Sequence, residues 1–233
     1  MTIALMGAME EEVCWLKDDL QQAKKVTKAG IEFVEGKLGD EKVVVVHGGI
    51  GKVNAAVCSQ ILIDDFQISK LIFTGVAGCL NQDLDIGDIV ISADTVQHDV
   101  DASAFGYDLG HIPRLAEKFF SADKELITLA LKASEGLNFA GHPLKAITGR
   151  ILSGDQFIAS AEKCRWLRET FAGDCAEMEG AAVAQVCSLN QIPFVIIRAM
   201  SDKADGSAHM NYEEFVKLAA ENSYKIVKKM ITG

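Results

Sequence analysis

Apolar runs too short for helices, such as Leu71 to Phe73 and Phe194 to Ile197, alternate with longer amphipathic segments along almost the whole chain. Continuous apolar runs of this length suit strands covered on both faces, and the segments between them suit the covering helices. The pattern therefore predicts an α/β fold, with a mainly parallel or mixed sheet and helices on both sides. Strands are expected near Ile3 to Gly7, Ile31 to Leu38, Lys42 to His47, Lys70 to Thr74, Asp88 to Val96, Leu144 to Arg150, Cys175 to Met178 and Phe194 to Met200. Helices are expected near Met9 to Leu20, Lys52 to Phe66, Lys124 to Leu137, Ala161 to Phe171, Gly180 to Leu189 and Tyr212 to Met230. Asp99 to Ser121 has no period, and its glycines, Pro113 and aromatic residues predict a long loop that lids a site or meets a second subunit.

No Pro/Ser-rich linker or shift of composition divides the 233 residues, so residues 1–233 are expected to form one domain. A net charge of −10 repels phosphate backbones and anionic lipid, and no basic patch offsets it, so neither nucleic acid nor membrane is an expected partner. No apolar run approaches the ~20 residues that span a bilayer. Met1 to Met6 lacks the basic start of a secretory signal. The six cysteines never form CxxC and most lie in apolar stretches, which reads as reduced thiols of a cytoplasmic protein with no structural zinc.

Two glycine-rich segments, Gly48-Gly49-Ile50-Gly51-Lys52 and Thr74-Gly75-Val76-Ala77-Gly78, read as tight turns at strand ends sharing one rim. The first fails as a phosphate loop, because Val46 and Val53 stand where Gly and Ser or Thr are required. His98-Asp99-Val100-Asp101 resembles a metal cluster only on paper, since strand alternation turns His98 away from both aspartates. No metal or cofactor is expected.

Three carboxylates stand in unusual places. On a helix from Met9, Glu12 lies about 70° from the centre of the apolar stripe Met9, Val13, Leu16, Leu20, whereas Glu10 and Glu11 fit a solvated acidic first turn. Partial burial would raise the pKa of Glu12 toward the range of a general base. Glu179 enters the apolar helix Gly180 to Leu189, either as a plain helix-start charge or as a ligand contact. Asp202 follows the buried strand at the carboxyl edge where α/β sheets bind ligands, although Ser201-Asp202 could instead cap a turn. Arg198, inside that strand, requires a buried anion, and Glu12 or Glu179 is the expected partner.

Six blocks in order carry a resemblance: Gly7-Ala8-Met9-Glu10-Glu11-Glu12-Val13, Gly49-Ile50-Gly51-Lys52-Val53, Ala104-Phe105-Gly106-Tyr107, Ser153-Gly154-Asp155-Gln156-Phe157-Ile158, Glu177-Met178-Glu179-Gly180-Ala181 and Arg198-Ala199-Met200-Ser201-Asp202. Over its whole length the chain resembles the 5′-methylthioadenosine/S-adenosylhomocysteine nucleosidases of the purine nucleoside phosphorylase superfamily. The resemblance implies a single-domain three-layer α/β/α sandwich with a mixed, partly closed sheet, and a homodimer. It implies cleavage of the N-glycosidic bond of adenine nucleosides in methionine salvage, with 5′-deoxyadenosine and 6-amino-6-deoxyfutalosine as further substrates. Glu12 would activate water, with Arg198 orienting them, and Asp202 beside Ser201 would protonate the adenine ring nitrogen at position 7. Glu179 would hold the ribose hydroxyls, Met178 would back the sugar, Phe157 would stack on adenine and the Ile158 backbone would read its edge. Ala77 and Gly78 would line the base pocket, with Met9 among the substrate contacts. Ile50 and Tyr212 would form the alkylthio pocket, closed by Phe105 and Pro113 of a neighbouring subunit. Val76 replaces a common serine beside the water, and Tyr212 a common phenylalanine.

A phosphorylase on the same scaffold would need arginines for its phosphate, yet residues 1–113 contain none. A storage or binding protein on this scaffold would need no base and acid on opposite faces of a ligand.

Overall fold

The computed structural model describes residues 1–139, 141–202 and 212–233, with side chains of the last segment described from residue 217. Period-two alternation in β1 (Thr2–Gly7) builds the layers: Ala4 and Met6 face one core, Ile3 and Leu5 the other. The same division runs through β4 (Glu41–His47), where Val44 and Val46 join the first core and Val43 and Val45 the second. The first core is covered by α2 (Lys52–Phe66) and α5 (Gly180–Leu189), through Ala55, Cys58, Leu62, Val183 and Cys187. The second is covered by α1 (Glu10–Asp18), α3 (Lys124–Ser134) and α6 (Tyr212–Thr232), through Val13, Leu16, Leu126, Ala130, Ile226 and Val227. The three layers are those expected.

The sheet runs in the order β11 (Cys175–Glu177), β10 (Ala146–Ser153), β6 (Ile89–Gln97), β12 (Phe194–Asp202), β5 (Ile68–Cys79), β1, β4, β3 (Ile31–Leu38) and β2 (Gln21–Lys28). It is mixed: β1 runs parallel to β4 and β5, and β12 parallel to β5, whereas β12 and β6 are antiparallel. At one side β11 also pairs antiparallel with β5, Cys175 opposite Cys79, so five strands close into a barrel. Short β7 (Phe120–Ser121) pairs with β6, and β8 (Asn138–Phe139) with β9 (His142–Pro143). Outside the barrel, α4 (Ala161–Phe171) lays Leu167 and Phe171 on Leu80, Val96 and Leu152. Among the described residues no helix is long and apolar enough to cross a membrane.

Three expectations change. The helix from Met9 ends at Asp18, and the chain then enters β2, whose sequence QQAKKVTK is almost wholly exposed at the sheet edge and carries no apolar signal. Thr74 to Gly78 is not a turn but part of a twelve-residue strand, β5, because its small residues let the barrel close against β11 and β12. The Asp99 to Ser121 loop contains one 3₁₀ turn, Ser103–Phe105, and ends in β7. β1, β4, β5 and β12 run in one direction and bring their carboxyl ends to one edge, where the site lies, and antiparallel β11 meets β5 there at Gly78.

Candidate active site

Glu12 is held at this edge by the start of α1. The chain leaves β1 at Gly7, passes through extended Met9 as N-cap, and begins the helix at Glu10. The Glu12 side chain folds back on that turn, where Oε2 accepts from Ala8 N at 2.7 Å and Met9 N at 3.0 Å, and Oε1 accepts from Val76 N of β5 at 3.0 Å. The third donor is the backbone N–H of Val76, whose own side chain offers no hydrogen-bonding group. Gly75 makes room for the arrangement, since a Cβ there would lie 2.4 Å from Glu12 Oε1. Glu10 and Glu11 point to solvent, as expected, and Glu10 meets His47 and Lys17. Glu12 is 3% exposed. Burial raises its pKa above the ordinary value, against the opposing pull of Arg198 and the three backbone donors. A carboxylate so placed is a base that holds its proton strongly once it takes one.

A second acidic cluster forms where β11 hands the chain to α5. Glu179 stands at the helix N-cap and accepts from Gly51 N at 2.7 Å. The Gly48 to Lys52 turn thus spends this donor on the protein's own carboxylate. Burial first, then the charge of Glu177, pushes the pKa of Glu179 up to about 8. Lys52 fastens the same turn: its Nζ pairs with Asp99 at 2.7 Å, its N–H donates to Asp155, and Asp155 N–H donates back to Asp99. This ring ties the start of α2 to the loop that carries Phe157.

Arg198 corrects the sequence reading. Its ion pair is with Glu177, Nη2 to Oε2 at 2.5 Å, and neither Glu12 nor Glu179 is its hydrogen-bonding partner. The expectation failed because the turn at Met178 and Glu179 swings Glu179 out toward the glycine turn, leaving Glu177 beneath the barrel beside Arg198. Arg198 still acts on Glu12 by its charge. Glu177 is the functional residue that sequence reasoning missed. Part of the signal was present, since a buried arginine demands an anion, but Glu177 and Glu179 stand at the same strand end and only the structure shows Glu177 buried in β11.

Between these groups lies one pocket, open at its mouth. Glu12, Met9, Val76, Ile50, Ser201, Asp202, Ala77, Gly78, Phe157, Ile158, Glu179 and Met178 are among the residues that line it. Asp202 is buried at the end of β12, with Ser201 Oγ 3.0 Å from its Oδ2 and 3.3 Å from the Ala77 carbonyl. Ile50 and Phe157 are each 54% exposed at the mouth.

Residues 2–232 match the Phosphorylase superfamily. The 5′-methylthioadenosine/S-adenosylhomocysteine nucleosidase of Staphylococcus haemolyticus is 42% identical over 230 residues, which span 98% of each chain. The chain belongs to this nucleosidase family. The nucleosidase of Colwellia psychrerythraea, solved in complex with adenine, superposes with a TM-score of 0.93 at 40% identity, covering 99% of this chain and 94% of that one. A futalosine hydrolase of Helicobacter pylori superposes with a TM-score of 0.92 at 34% identity, covering 99% and 97%.

Of the residues that the nucleosidase resemblance singled out, the fold gathers Glu12, Met9, Ile50, Ala77, Gly78, Phe157, Ile158, Met178, Glu179, Ser201 and Asp202 around one pocket, with Arg198 directly behind it. Gln156, Ala8 and Ala176 join them without having been singled out. Phe105 and Pro113 do not line this pocket in the single chain; both are exposed, Phe105 at 84%. The side chain of Tyr212 lies outside the described residues.

Proposed function

We propose that the chain hydrolyses 5′-methylthioadenosine and S-adenosylhomocysteine at the N-glycosidic bond, releasing adenine and the thioribose. The observation that carries this reading is a buried carboxylate, Glu12, sharing one pocket with a second buried carboxylate, Asp202, so that a base and an acid are at hand around one bound nucleoside. Cleavage passes through a sugar cation, so it requires a base with water on one face and an acid on the departing base.

Glu12 takes a proton from water as the C1′ cation develops, its oxygens aimed by the Ala8, Met9 and Val76 N–H groups. Asp202, oriented by Ser201, gives a proton to the adenine ring nitrogen at position 7, and the bond electrons leave with neutral adenine. Phe157 stacks on the purine, Ile158 with Ala77 and Gly78 borders it, Met178 backs the ribose and Glu179 accepts its hydroxyls. The placement of Ile50 at the mouth beside Met9 suits the 5′ substituent.

Water is favoured over phosphate as acceptor by charge. Glu12, Glu177, Glu179 and Asp202 line the pocket, and among the described lining residues no arginine, lysine or histidine joins them. A phosphate would meet several kcal/mol of repulsion in a low-dielectric site without cationic donors. The futalosine hydrolase likeness supports 6-amino-6-deoxyfutalosine as a further substrate, its larger 5′ group leaving through the open mouth. Exposure of Phe105 and Pro113 supports a homodimer in which each loop closes the neighbour's pocket. The test is Glu12→Gln assayed on methylthioadenosine: adenine release should fall at least ~100-fold, the low end for a general base. Near-parental turnover would remove Glu12 from the chemistry.

A further inference from the structure

Among the described residues the pocket is lined by carboxylates, and Arg198 stands directly behind it. Arg198 is fully buried, its guanidinium over the Phe73 ring with 4.1 Å to the centroid. Nη2 and Nε donate to Glu177 Oε2 at 2.5 and 3.2 Å, and Nη1 to the Ile197 carbonyl at 3.3 Å. None of these bonds goes to Glu12, although both groups approach the same face of Gly75: a Cβ there would lie 2.4 Å from Glu12 Oε1 and 3.0 Å from Arg198 Nη1.

Glu177 is unusually well fixed for this task. Oε1 and Oε2 accept from Gly180 N at 2.9 and 2.8 Å, Oε2 also from Glu179 N at 3.3 Å, and the Ser153 hydroxyl donates to Oε1. Ser153 is itself held by Ala181 N at 2.6 Å. The start of α5 and the end of β10 therefore clamp one carboxylate in place, and that carboxylate clamps the arginine.

We propose that Glu177 is a positioning residue that holds the Arg198 guanidinium off Glu12 and thereby decides how strong a base Glu12 is. The inference rests on the reading of Glu12 as the base. Were Arg198 to pair with Glu12 directly, Glu12 would bind its proton weakly and extract one from water poorly. With Arg198 committed to Glu177, Glu12 keeps a raised pKa under the net effect of burial while Arg198 still tempers it by charge. Among the described residues, the other charged groups around Glu12 are these. Glu10 and Glu11 on α1 face solvent, with Lys17 and His47 on Glu10; β5 presents the Val76 N–H; β12 brings Arg198 and Asp202, and the α5 start Glu179. The described residues of α6 place Tyr224 and Lys228 against Asp19, beyond the far end of α1.

The test is the pH profile of kcat/KM for methylthioadenosine. Glu179 also titrates near the working range and feels Glu177, so Glu177→Gln is compared with its parent in a Glu179→Gln background. The acid limb should move down by ~1–3 pH units, the effect of an opposite charge brought within contact of a carboxylate. Glu177→Asp, which keeps the charge but withdraws it by one methylene, should move the limb the same way by less, and it carries the test if Glu177→Gln does not fold. Arg198→Met should move the limb up. A purely structural role for Glu177 would lower activity and leave the limb in place, and an unmoved or raised limb in the folded Glu177 variants overturns the inference. If the wild-type chain releases no adenine, or Glu12→Gln stays fully active, it is the functional reading that fails instead.

Discussion

A methyl group at position 75 should damage catalysis without touching the substrate. Gly75 lies within β5 with no left-handed backbone demand, so alanine can adopt its conformation. The added Cβ would lie 2.4 Å from Glu12 Oε1 and 2.9 Å from its Cδ, against the 3.4 Å or more of ordinary contact. The carboxylate must therefore retreat by about 1 Å, a displacement of the size that costs up to ~100-fold when a reacting group is misplaced. Retreat also stretches its bond to Val76 N, now 3.0 Å. A hydrogen bond to a charged group contributes ~1.5–3 kcal/mol, or roughly 10- to 150-fold in rate if it is lost in the transition state. Both routes agree on a fall in kcat of ~10- to 100-fold. The assay is chromatographic adenine release by Gly75→Ala, with a circular dichroism melt to show that the variant is folded and calorimetric adenine binding as control. Adenine affinity should hold, because Gly75 does not line the pocket. A folded variant with kcat within about threefold of the parent would refute the claim that the position of Glu12 is critical.

Asp202→Asn should lower kcat on methylthioadenosine at least ~100-fold while leaving the fold intact, as a residue that donates a proton to the leaving group requires; unchanged turnover would assign that step elsewhere. Glu179 makes stability depend on pH: its pKa is raised in the folded state from an ordinary 4.5 to about 8, so its contribution is fully present below 4.5 and is lost as pH rises through about 8. The Tm of the wild-type chain should therefore fall more steeply across that window than that of Glu179→Gln, and parallel curves would contradict the assignment. Light scattering should find a dimer at micromolar concentration, and Phe105→Ser should raise KM in the dimer through the neighbour's pocket; an active monomer would contradict the shared site.

The buried strands were legible because a strand stretch covered on both faces is apolar without alternation, as Val43 to Val46 of β4 and Phe194 to Ile197 of β12 are. β2 was not, because an edge strand with a solvated face carries Gln and Lys as readily as a loop does. Barrel closure was equally hidden: a three-residue strand, β11, pairs with the end of β5 across almost 100 positions, and nothing local announces it. That closure also explains the misread of Gly75 to Gly78, where small residues serve close approach between strands and not a turn. At the site, Glu12 could be placed from helical periodicity alone, and Asp202 from the strand before it. Glu177 could not be separated from Glu179 by spacing, since only the bend at Met178 and Glu179 decides which one meets Arg198. Phe105 and Pro113 lie outside the pocket of a single chain, and their part in a site depends on a second copy.

The identity of the sugar released from methylthioadenosine distinguishes water from phosphate as the acceptor most directly. With Glu12 activating water and no cation among the described pocket-lining residues, the product should be free methylthioribose, formed at a rate independent of added phosphate. Recovery of methylthioribose 1-phosphate, or a rate that rises in proportion to phosphate, would contradict hydrolysis and show that the pocket accepts an anion after all.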